Sequence, residues 1–367
     1  MRCGPGSRIG RWAAGAAARS AVCQDRRMPK PPALLYSQYL HALGGGERVM
    51  VAVAELLADT HDVRLGAPRL PDEARWRSLG FPDGLDIVRM NAREFTRASV
   101  RAKLGVVMTN NVPLPSLARR SLLIVQFPND RLASYPAARR VVGAWTLDHA
   151  MLVTYSEFNA RHLRNRWGGR SARVLPPPVR QIPADLGGKE RLILSVGRLT
   201  EGGNHKRHDA LIEAFGRLRP LAPGWRFVVA GGGRSDDPYA LRLTELAAVV
   251  GSVEVCPDLP ADRLDDLYRR ASIYWHAAGY GRSADDPSAA EHFGMTTVEA
   301  MSAGAVPVVF DDGGQTEIVA DGSGRTWRDL DELVAVTADL VADEAERADL
   351  AGLARGRAAE YRPAVYA

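Results

Sequence analysis

The segment Glu291-His292-Phe293-Gly294-Met295-Thr296-Thr297-Val298-Glu299 runs on as Ala300-Met301-Ser302-Ala303-Gly304-Ala305-Val306-Pro307-Val308-Val309. Two carboxylates stand eight positions apart across a glycine turn. Gly294 lacks a Cβ and accepts the positive φ of a tight turn. Met295 to Met301 holds enough good helix formers for about two turns, and Gly304 supplies a left-handed stop. Val306 to Phe310 then reads as a buried strand, with Pro307 near its start, where a strand tolerates proline.

In this geometry Glu291 lies on the loop before the helix and Glu299 one turn inside it. Backbone N–H groups at the helix start favour an anion, phosphate above all. Ionised glutamates beside an anion site make sense when the ligand also carries hydroxyls, because carboxylates only accept hydrogen bonds. The segment therefore points to a phosphorylated polyol, with a nucleotide sugar the leading kind. Two glutamates at this spacing also fit a solvated helix face, so the surrounding chain decides.

A chain of 367 residues exceeds one ordinary core, and two domains are expected. With 46% hydrophobic and 25% charged residues the composition is globular, which excludes a disordered class. The net charge of +5 does not indicate nucleic-acid binding. Arg2, Arg8, Arg11, Arg19, Arg26, Arg27 and Lys30 face only Asp25 in residues 1–30, which leaves the remainder at −1. Residues 1–30 read as a disordered leader of low complexity, with Met28 as the expected true start. No apolar run reaches the length of a membrane span. Cys3, Cys23 and Cys256 form neither a disulfide framework nor a metal spacing, which fits a reducing, cytoplasmic location.

After the leader, Ala33–Tyr36 is a short strand, Gly44-Gly45-Gly46 a turn, and Glu47–Leu57 a helix with Val49, Val53, Leu56 and Leu57 on one face. The triple glycine lacks the G-x-G-x-x-G spacing of a dinucleotide site. It reads equally as a close-packed turn or as backbone approaching a ligand. Strands follow at 61–65, 85–90, 104–109, 121–126 and 151–155. Gln126 and Tyr155-Ser156 stand where strands leave the sheet, which is where open α/β sheets bind ligands. Val174–Val179 is a proline-rich linker. The alternation then restarts with strands at 192–196, 226–230, 253–255, 273–276 and 306–310. The expected architecture is α/β, with two Rossmann-like domains facing across a cleft. The expected boundaries are 31–180 and 181–355 for the two domains, with residues 356–367 after them.

Arg198 follows the first strand of the second half, and Lys206 stands on the loop beyond Gly202, Gly203 and Asn204. Two cations there can neutralise a diphosphate. His205 and His208 have no third ligand in the pattern, and Asp311-Asp312-Gly313-Gly314 suits a turn, so no metal is expected. Residues 279–290 read as a mobile loop before Glu291. Nucleophile-elbow, P-loop and zinc-protease signatures are missing from the sequence.

Glu291-x7-Glu299, Ser195-Val196-Gly197-Arg198, Asn204-His205-Lys206-Arg207, Ser272–His276 and Gly313–Val319 together resemble the family-4 retaining glycosyltransferases of GT-B architecture. The resemblance spans residues 33–360 and is densest from 191 to 319; it implies that 31–180 is the acceptor-side domain, that 181–355 binds the nucleotide sugar and that a C-terminal crossing helix starts at 356. It implies that Arg198 and Lys206 bind the donor diphosphate and that Glu291 approaches the hydroxyls of the transferred sugar. Glu299 would take the ribose hydroxyls. Gly197 and the backbone of Phe293, Gly294, Met295 and Thr296 would meet the donor, with Gly44, Gly45 and Gly46 facing it from the other domain. Arg198, Lys206 and Glu291 would carry catalysis, and no cofactor or metal is implied. Gln126 stands where many relatives have histidine near the sugar, and it does not titrate near neutral pH.

Within the family, Glu-His-Phe-Gly and Trp275-His276 resemble the mannosyltransferases that extend lipid-linked oligosaccharides, which implies GDP-mannose first and a UDP-sugar next. The acceptor would be a glycan or lipid-linked molecule, with peripheral association at the inner membrane face. Arg93, Arg97, Arg101 and Lys103 are basic residues of the first domain that fit either an anionic membrane or a solvated helix face. The alternatives are an epimerase or hydrolase of the same architecture, a dinucleotide-dependent oxidoreductase, and a non-catalytic sugar-nucleotide sensor.

Overall fold

The computed structural model describes residues 29–366 apart from 112, 185–187 and 202–204. The expected leader up to Met28 and the Gly202-Gly203-Asn204 loop lie outside the described residues. The first sheet contains β1 (Pro32–Ser37), β2 (Asp62–Ala67), β3 (Asp86–Arg89), β4 (Leu104–Met108), β5 (Arg120–Ile124), β6 (Met151–Thr154) and β7 (Arg173–Val174). Its helices are α1 (Gly45–Ala58), α2 (Glu73–Ser78), α3 (Ala92–Ser99), α4 (Ala137–His149) and α5 (Glu157–Arg166). The second sheet contains β8 (Glu190–Val196), β9 (Arg226–Gly231), β10 (Val253–Pro257), β11 (Ala271–His276), β12 (Val306–Phe310) and β13 (Arg325–Trp327). Around it pack α6 (His208–Leu218), α7 (Pro238–Val250), α8 (Ala261–Arg270), α9 (Met295–Ser302), α10 (Gln315–Val319), α11 (Leu330–Ala342) and α12 (Glu344–Ala358).

The strand orders are β3-β2-β1-β4-β5-β6-β7 and β10-β9-β8-β11-β12-β13. Pairing is parallel in both sheets. In each sheet the strand order reverses at one point, between β1 and β4 and between β8 and β11, and a doubly wound sheet opens its ligand crevice there. Strand β11 shows why the central strands are apolar throughout. Ile273 and Trp275 enter the core on one face while Ala271 and Tyr274 enter the core on the other. Helices cover both faces of the central strands, so β11 is buried along its whole length, while β2, nearer the edge, still alternates as Asp62-Val63-Arg64-Leu65.

The first five expected strands after Tyr36 appear within a few residues. Gln126 and Tyr155, expected at strand ends, lie outside β5 and β6. Beyond β5 the Asn110 side chain takes over the ladder's role, because its Oδ1 accepts from Gln126 N at 3.2 Å and Phe127 N at 3.3 Å. Strands β7 and β13, two and three residues long, are too short to show a period and were not expected.

The expected crossing helix does not start at 356. Helix α12 ends at Ala358, and short 3-10 turns follow at Ala359–Tyr361 and Pro363–Val365. Pro363 has no N–H to continue a helix, while Tyr361 O accepts from Val179 N at 2.7 Å, tying this segment to the interdomain linker. The loop 279–290 is also not free. Tyr280 packs against Phe310 and Trp327, and Ala290 is buried with Phe127 and Phe158. Among the described residues, no helix is long and apolar enough to cross a membrane.

Candidate active site

The opening segment folds as its residues dictate. Gly294 takes φ 109°, and α9 begins at Met295. Gly304, at φ 87°, donates to Met301 O at 2.9 Å and Ala305 to Ala300 O at 3.0 Å, a paired closure of the helix end. Glu291 precedes the helix and Glu299 lies one turn inside it.

Glu291 is the centre of a buried charged cluster. Lys206 Nζ lies 2.5 Å from its Oε2, and the two side chains are only 15% and 12% exposed. His276 Nε2 lies 3.0 Å from the same oxygen, poorly aligned for a hydrogen bond. Its Nδ1 accepts from Ala278 N at 3.3 Å, which leaves the proton of the neutral ring on Nε2, facing the carboxylate. Glu291 Oε1 accepts from His292 N at 3.1 Å. Burial alone would raise the Glu291 carboxyl, but Lys206 and His276 outweigh it and hold the group well below the usual carboxylate range. Burial lowers the His276 pKa against the pull of Glu291, and it pushes His208 down to about 3, helped by His276 and Lys206. His208 is fully buried, and neither ring nitrogen makes a hydrogen bond.

This cluster sits at the switch point of the second sheet, since His276 ends β11 and Gly197-Arg198 follow β8. Glycine is required there. A Cβ on Gly197 would lie 2.6 Å from Lys206 Cγ, and one on Gly231 would overlap Gly197 O. Arg198 is exposed toward the cleft, close enough for its charge to act on Glu47 of the other domain.

Across the cleft stands the start of α1. Gly44 is its N-cap and Gly45 and Gly46 open its first turn. Gly44 N donates to Glu47 Oε2 at 2.9 Å, and burial raises the Glu47 pKa against that bond and against Arg198. A Cβ on Gly45 would touch Met295 Sδ at 3.6 Å, so the N-termini of α1 and α9 meet across the cleft. A Cβ on Gly46 would lie 2.5 Å from Gln126 Nε2, which places Gln126 against the same turn. Asn110 Nδ2 donates to Gln126 Oε1 at 3.1 Å. One fold thus gathers Gly44, Gly45, Gly46, Gln126, Gly197, Arg198, Lys206, Glu291, Gly294 and Met295 around one cleft.

Phe293 and Thr296 contribute differently from one another. The Phe293 side chain is buried against Tyr361, leaving its backbone for the cleft, while Thr296 Oγ1 accepts from Tyr274 OH at 2.7 Å. Glu299 is 4% exposed, and both of its oxygens are engaged. Arg180 Nε donates to one at 2.7 Å and Tyr268 OH to the other at 2.9 Å, while Arg180 Nη1 also meets Asp265 at 2.6 Å. A carboxylate offers about four acceptor positions, so these two bonds leave room for further donors. His276, Glu47, Arg180 and Tyr268 are site residues that the sequence reading did not assign. His276 has a legible signal, a histidine closing a strand beside the switch point, whereas Arg180, next after the proline-rich linker, has none.

Comparisons with known proteins bear on the fold and on the second half of the chain. The model of the family described as glycosyl transferases group 1 matches residues 181–356. A D-inositol 3-phosphate glycosyltransferase of Nocardiopsis dassonvillei is 33% identical, over 57% of this chain and 51% of its own length. A GDP-mannose-dependent alpha-(1-6)-phosphatidylinositol monomannoside mannosyltransferase of Mycolicibacterium smegmatis is 28% identical, over 82% of this chain and 86% of its own. The chain spans about half or less of the length of several curated relatives it matches. Among solved structures, Anabaena HepE in complex with UDP superposes with a TM-score of 0.70 over 91% of this chain and 96% of that one, at 14% identity. Residues 181–356, with α9, Glu291 and Glu299 among them, therefore form the second half of a GT-B fold.

Proposed function

We propose that this chain is a retaining hexosyltransferase that moves a sugar from a nucleotide-diphosphate donor to a glycan or lipid-linked acceptor, without a metal. The observation that carries the reading is the meeting of two helix N-termini, Gly44–Gly46 and Gly294–Met295, around the Lys206–Glu291 pair. The helix ends and the cations Arg198 and Lys206 suit a diphosphate, while Glu291 suits sugar hydroxyls. Lys206 links the two functions. It leans on Glu291 in the structure, and its charge is best used on the leaving diphosphate, where negative charge builds in the transition state. Glu299 takes ribose hydroxyls on the lone pairs that Arg180 and Tyr268 do not use. Gln126 contacts the transferred sugar by hydrogen bonding alone.

The carboxylates are positioning groups for the donor rather than an acid–base pair. Glu291 stays ionised and paired, which suits it to accept hydroxyl hydrogen bonds and unsuits it to donate a proton. GDP-mannose is the first donor and a UDP-sugar the second, as several relatives are named for GDP-mannose chemistry. A cavity of about 520 Å³ beside the ends of β1 and β4, lined by Tyr36, Gln38, Met108, Leu114, Arg139 and Val142, supports an acceptor with both apolar and polar parts. Peripheral membrane association fits such an acceptor.

A thermal-shift panel of GDP, UDP, ADP, their sugars and NAD(H) tests this reading. A ligand at a hundred times its dissociation constant stabilises by about 2.7 kcal/mol. A response to NAD(H) alone refutes the proposal, and a response to GDP over UDP supports the mannosyl donor. The anomeric configuration of the product, read by NMR, and turnover in chelator test retention and metal independence.

A further inference from the structure

We propose that Ser156, Asn159 and Glu317 form an interdomain latch that positions the Glu291–His292 turn, and with it the donor sugar, against the first domain. The proposal rests on the transferase reading above and adds positioning residues that touch no donor.

Four hydrogen bonds cross between the domains at one place. His292 O accepts from Ser156 Oγ at 2.8 Å and from Asn159 Nδ2 at 2.9 Å. In the same sense, the Glu317 carboxylate of the second domain accepts from Glu157 N at 2.9 Å and Phe158 N at 2.8 Å. Ser156 Oγ also accepts from Asn159 N at 3.2 Å, so the first turn of α5 is capped jointly by its own serine and by a glutamate from the other domain. Ser156 and Asn159 are 1% and 0% exposed. The His292 ring stacks on Phe127 of the first domain at 4.7 Å and 8°.

The latched carbonyl belongs to the residue next to Glu291. From its own domain the same turn is held by Gly314 N, which donates to Glu291 O at 2.7 Å. Gly313 and Gly314 pack so closely that a Cβ would lie 2.4 Å from Glu291 O and 2.3 Å from His292 O. The turn is therefore clamped from both domains, and its side chain Glu291 inherits that placement.

The topology says how the two domains move about it. The latch lies beyond β6 and β12, toward one edge of both sheets. Toward the other edge, Arg75 of α2 meets Asp258 after β10 at 3.2 Å, with both side chains nearly half exposed. An exposed ion pair contributes little, while the buried latch resists separation. Opening of the cleft parts Arg75 from Asp258 and pivots on the latch, so the sugar end of the site keeps its geometry while the nucleotide end opens for exchange.

The test compares Ser156→Ala, Ser156→Thr and Glu317→Ala with the wild type. The measurements are kcat, donor dissociation constant, Tm, and radius of gyration by small-angle scattering with and without donor. A misplacement near 1 Å costs about 100-fold in rate. Ser156→Ala and Glu317→Ala are therefore expected to lose kcat by about that factor, with the donor dissociation constant held within about threefold. Ser156→Thr keeps the hydroxyl and is expected to retain most of kcat, and Glu317→Ala to leave the radius of gyration enlarged with donor present. A role in stability alone would lower Tm and leave kcat per folded molecule unchanged, and that result overturns the proposal. Equal damage in Ser156→Thr and Ser156→Ala overturns it too. If the wild type binds none of the nucleotide sugars, the transferase reading itself falls and takes the proposal with it, an outcome distinct from intact binding with unchanged kcat.

Discussion

Replacement of Lys206 by methionine tests the centre of the site. It removes the cation 2.5 Å from Glu291 and leaves a carboxylate that is only 12% exposed beside a neutral histidine. Breaking a buried pair on one side costs about 3–5 kcal/mol. The Glu291 bond to His292 N and the nearby His276 moderate this, so the lower end, about 3 kcal/mol, is expected. For a domain of this size about 2–4 °C accompany each kcal/mol, so Tm should fall by about 6–12 °C. The deficit must also depend on pH. In the wild type Glu291 is depressed, and its contribution is fully present above the unfolded carboxyl pKa of about 4.3 and lost as pH falls through the lower folded value. In the variant, burial without Lys206 raises the carboxyl, so stability falls as pH rises from that unfolded value through the raised one. The Tm gap should be widest near pH 7 and narrow toward pH 5. Lys206→Met combined with Glu291→Gln removes both charges and should recover most of the loss. Scanning calorimetry of the wild type, Lys206→Met, Glu291→Gln and the double variant between pH 5 and 8 checks this, with kcat expected to fall about 100- to 1,000-fold in Lys206→Met. A double variant no more stable than the single one, or a gap independent of pH, refutes the account of Glu291 as a carboxylate held ionised by Lys206.

Gly231→Ala places a Cβ onto Gly197 O at a residue with φ 152°, and the neighbour is backbone that cannot step aside. Its expected cost exceeds about 4 kcal/mol, read as loss of soluble protein or of the unfolding transition near the wild-type Tm. Gly46→Ala meets only the end of the Gln126 side chain, at 2.5 Å, so Gln126 can swing away. Stability should then change by less than about 1 kcal/mol while kcat falls about tenfold, and unchanged turnover would remove Gln126 from the sugar site. His208 is held neutral, its pKa pushed down to about 3 against about 6.5 unfolded. A depressed histidine gives stability that is fully present above the unfolded value and lost by about 1.4 kcal/mol per pH unit as pH falls toward the folded one. His208→Phe should flatten the Tm profile between pH 6.5 and 4, as measured by circular dichroism.

What the sequence revealed and what it hid follow from the range of the interactions. The α9 segment was legible because its signals are local: Gly294 for the turn, helix formers to Met301, Gly304 for the stop and a β-branched strand after it. Both sheets were legible because strands covered on two faces are apolar throughout, as with Leu192-Ile193-Leu194. Partners 85 to 159 positions apart in order but touching in space were not. Nothing near Arg180 shows that it will reach Glu299 and Asp265, 119 and 85 positions away, and nothing near Glu317 shows that it will cap a helix 159 positions upstream. The same distinction explains the two glutamates. Their spacing is one motif, yet the fold treats them differently. Glu291 meets a lysine and a histidine at the mouth of a switch point, where a ligand's charge can exchange with its partners. Glu299 is fixed from behind by Arg180 and Tyr268, with Arg48 of the first domain near enough for its own charge to feel Glu299. A carboxylate with two strong partners in its own framework is already oriented before any ligand arrives. It loses little side-chain entropy when a pair of hydroxyls binds, which is the physical advantage of preorganisation. Arg180→Ala should therefore weaken donor binding about tenfold or more with Glu299 itself intact, as read by calorimetric titration of the preferred nucleotide. Donor affinity unchanged by that substitution would mean that Glu299 serves the fold and not the ribose.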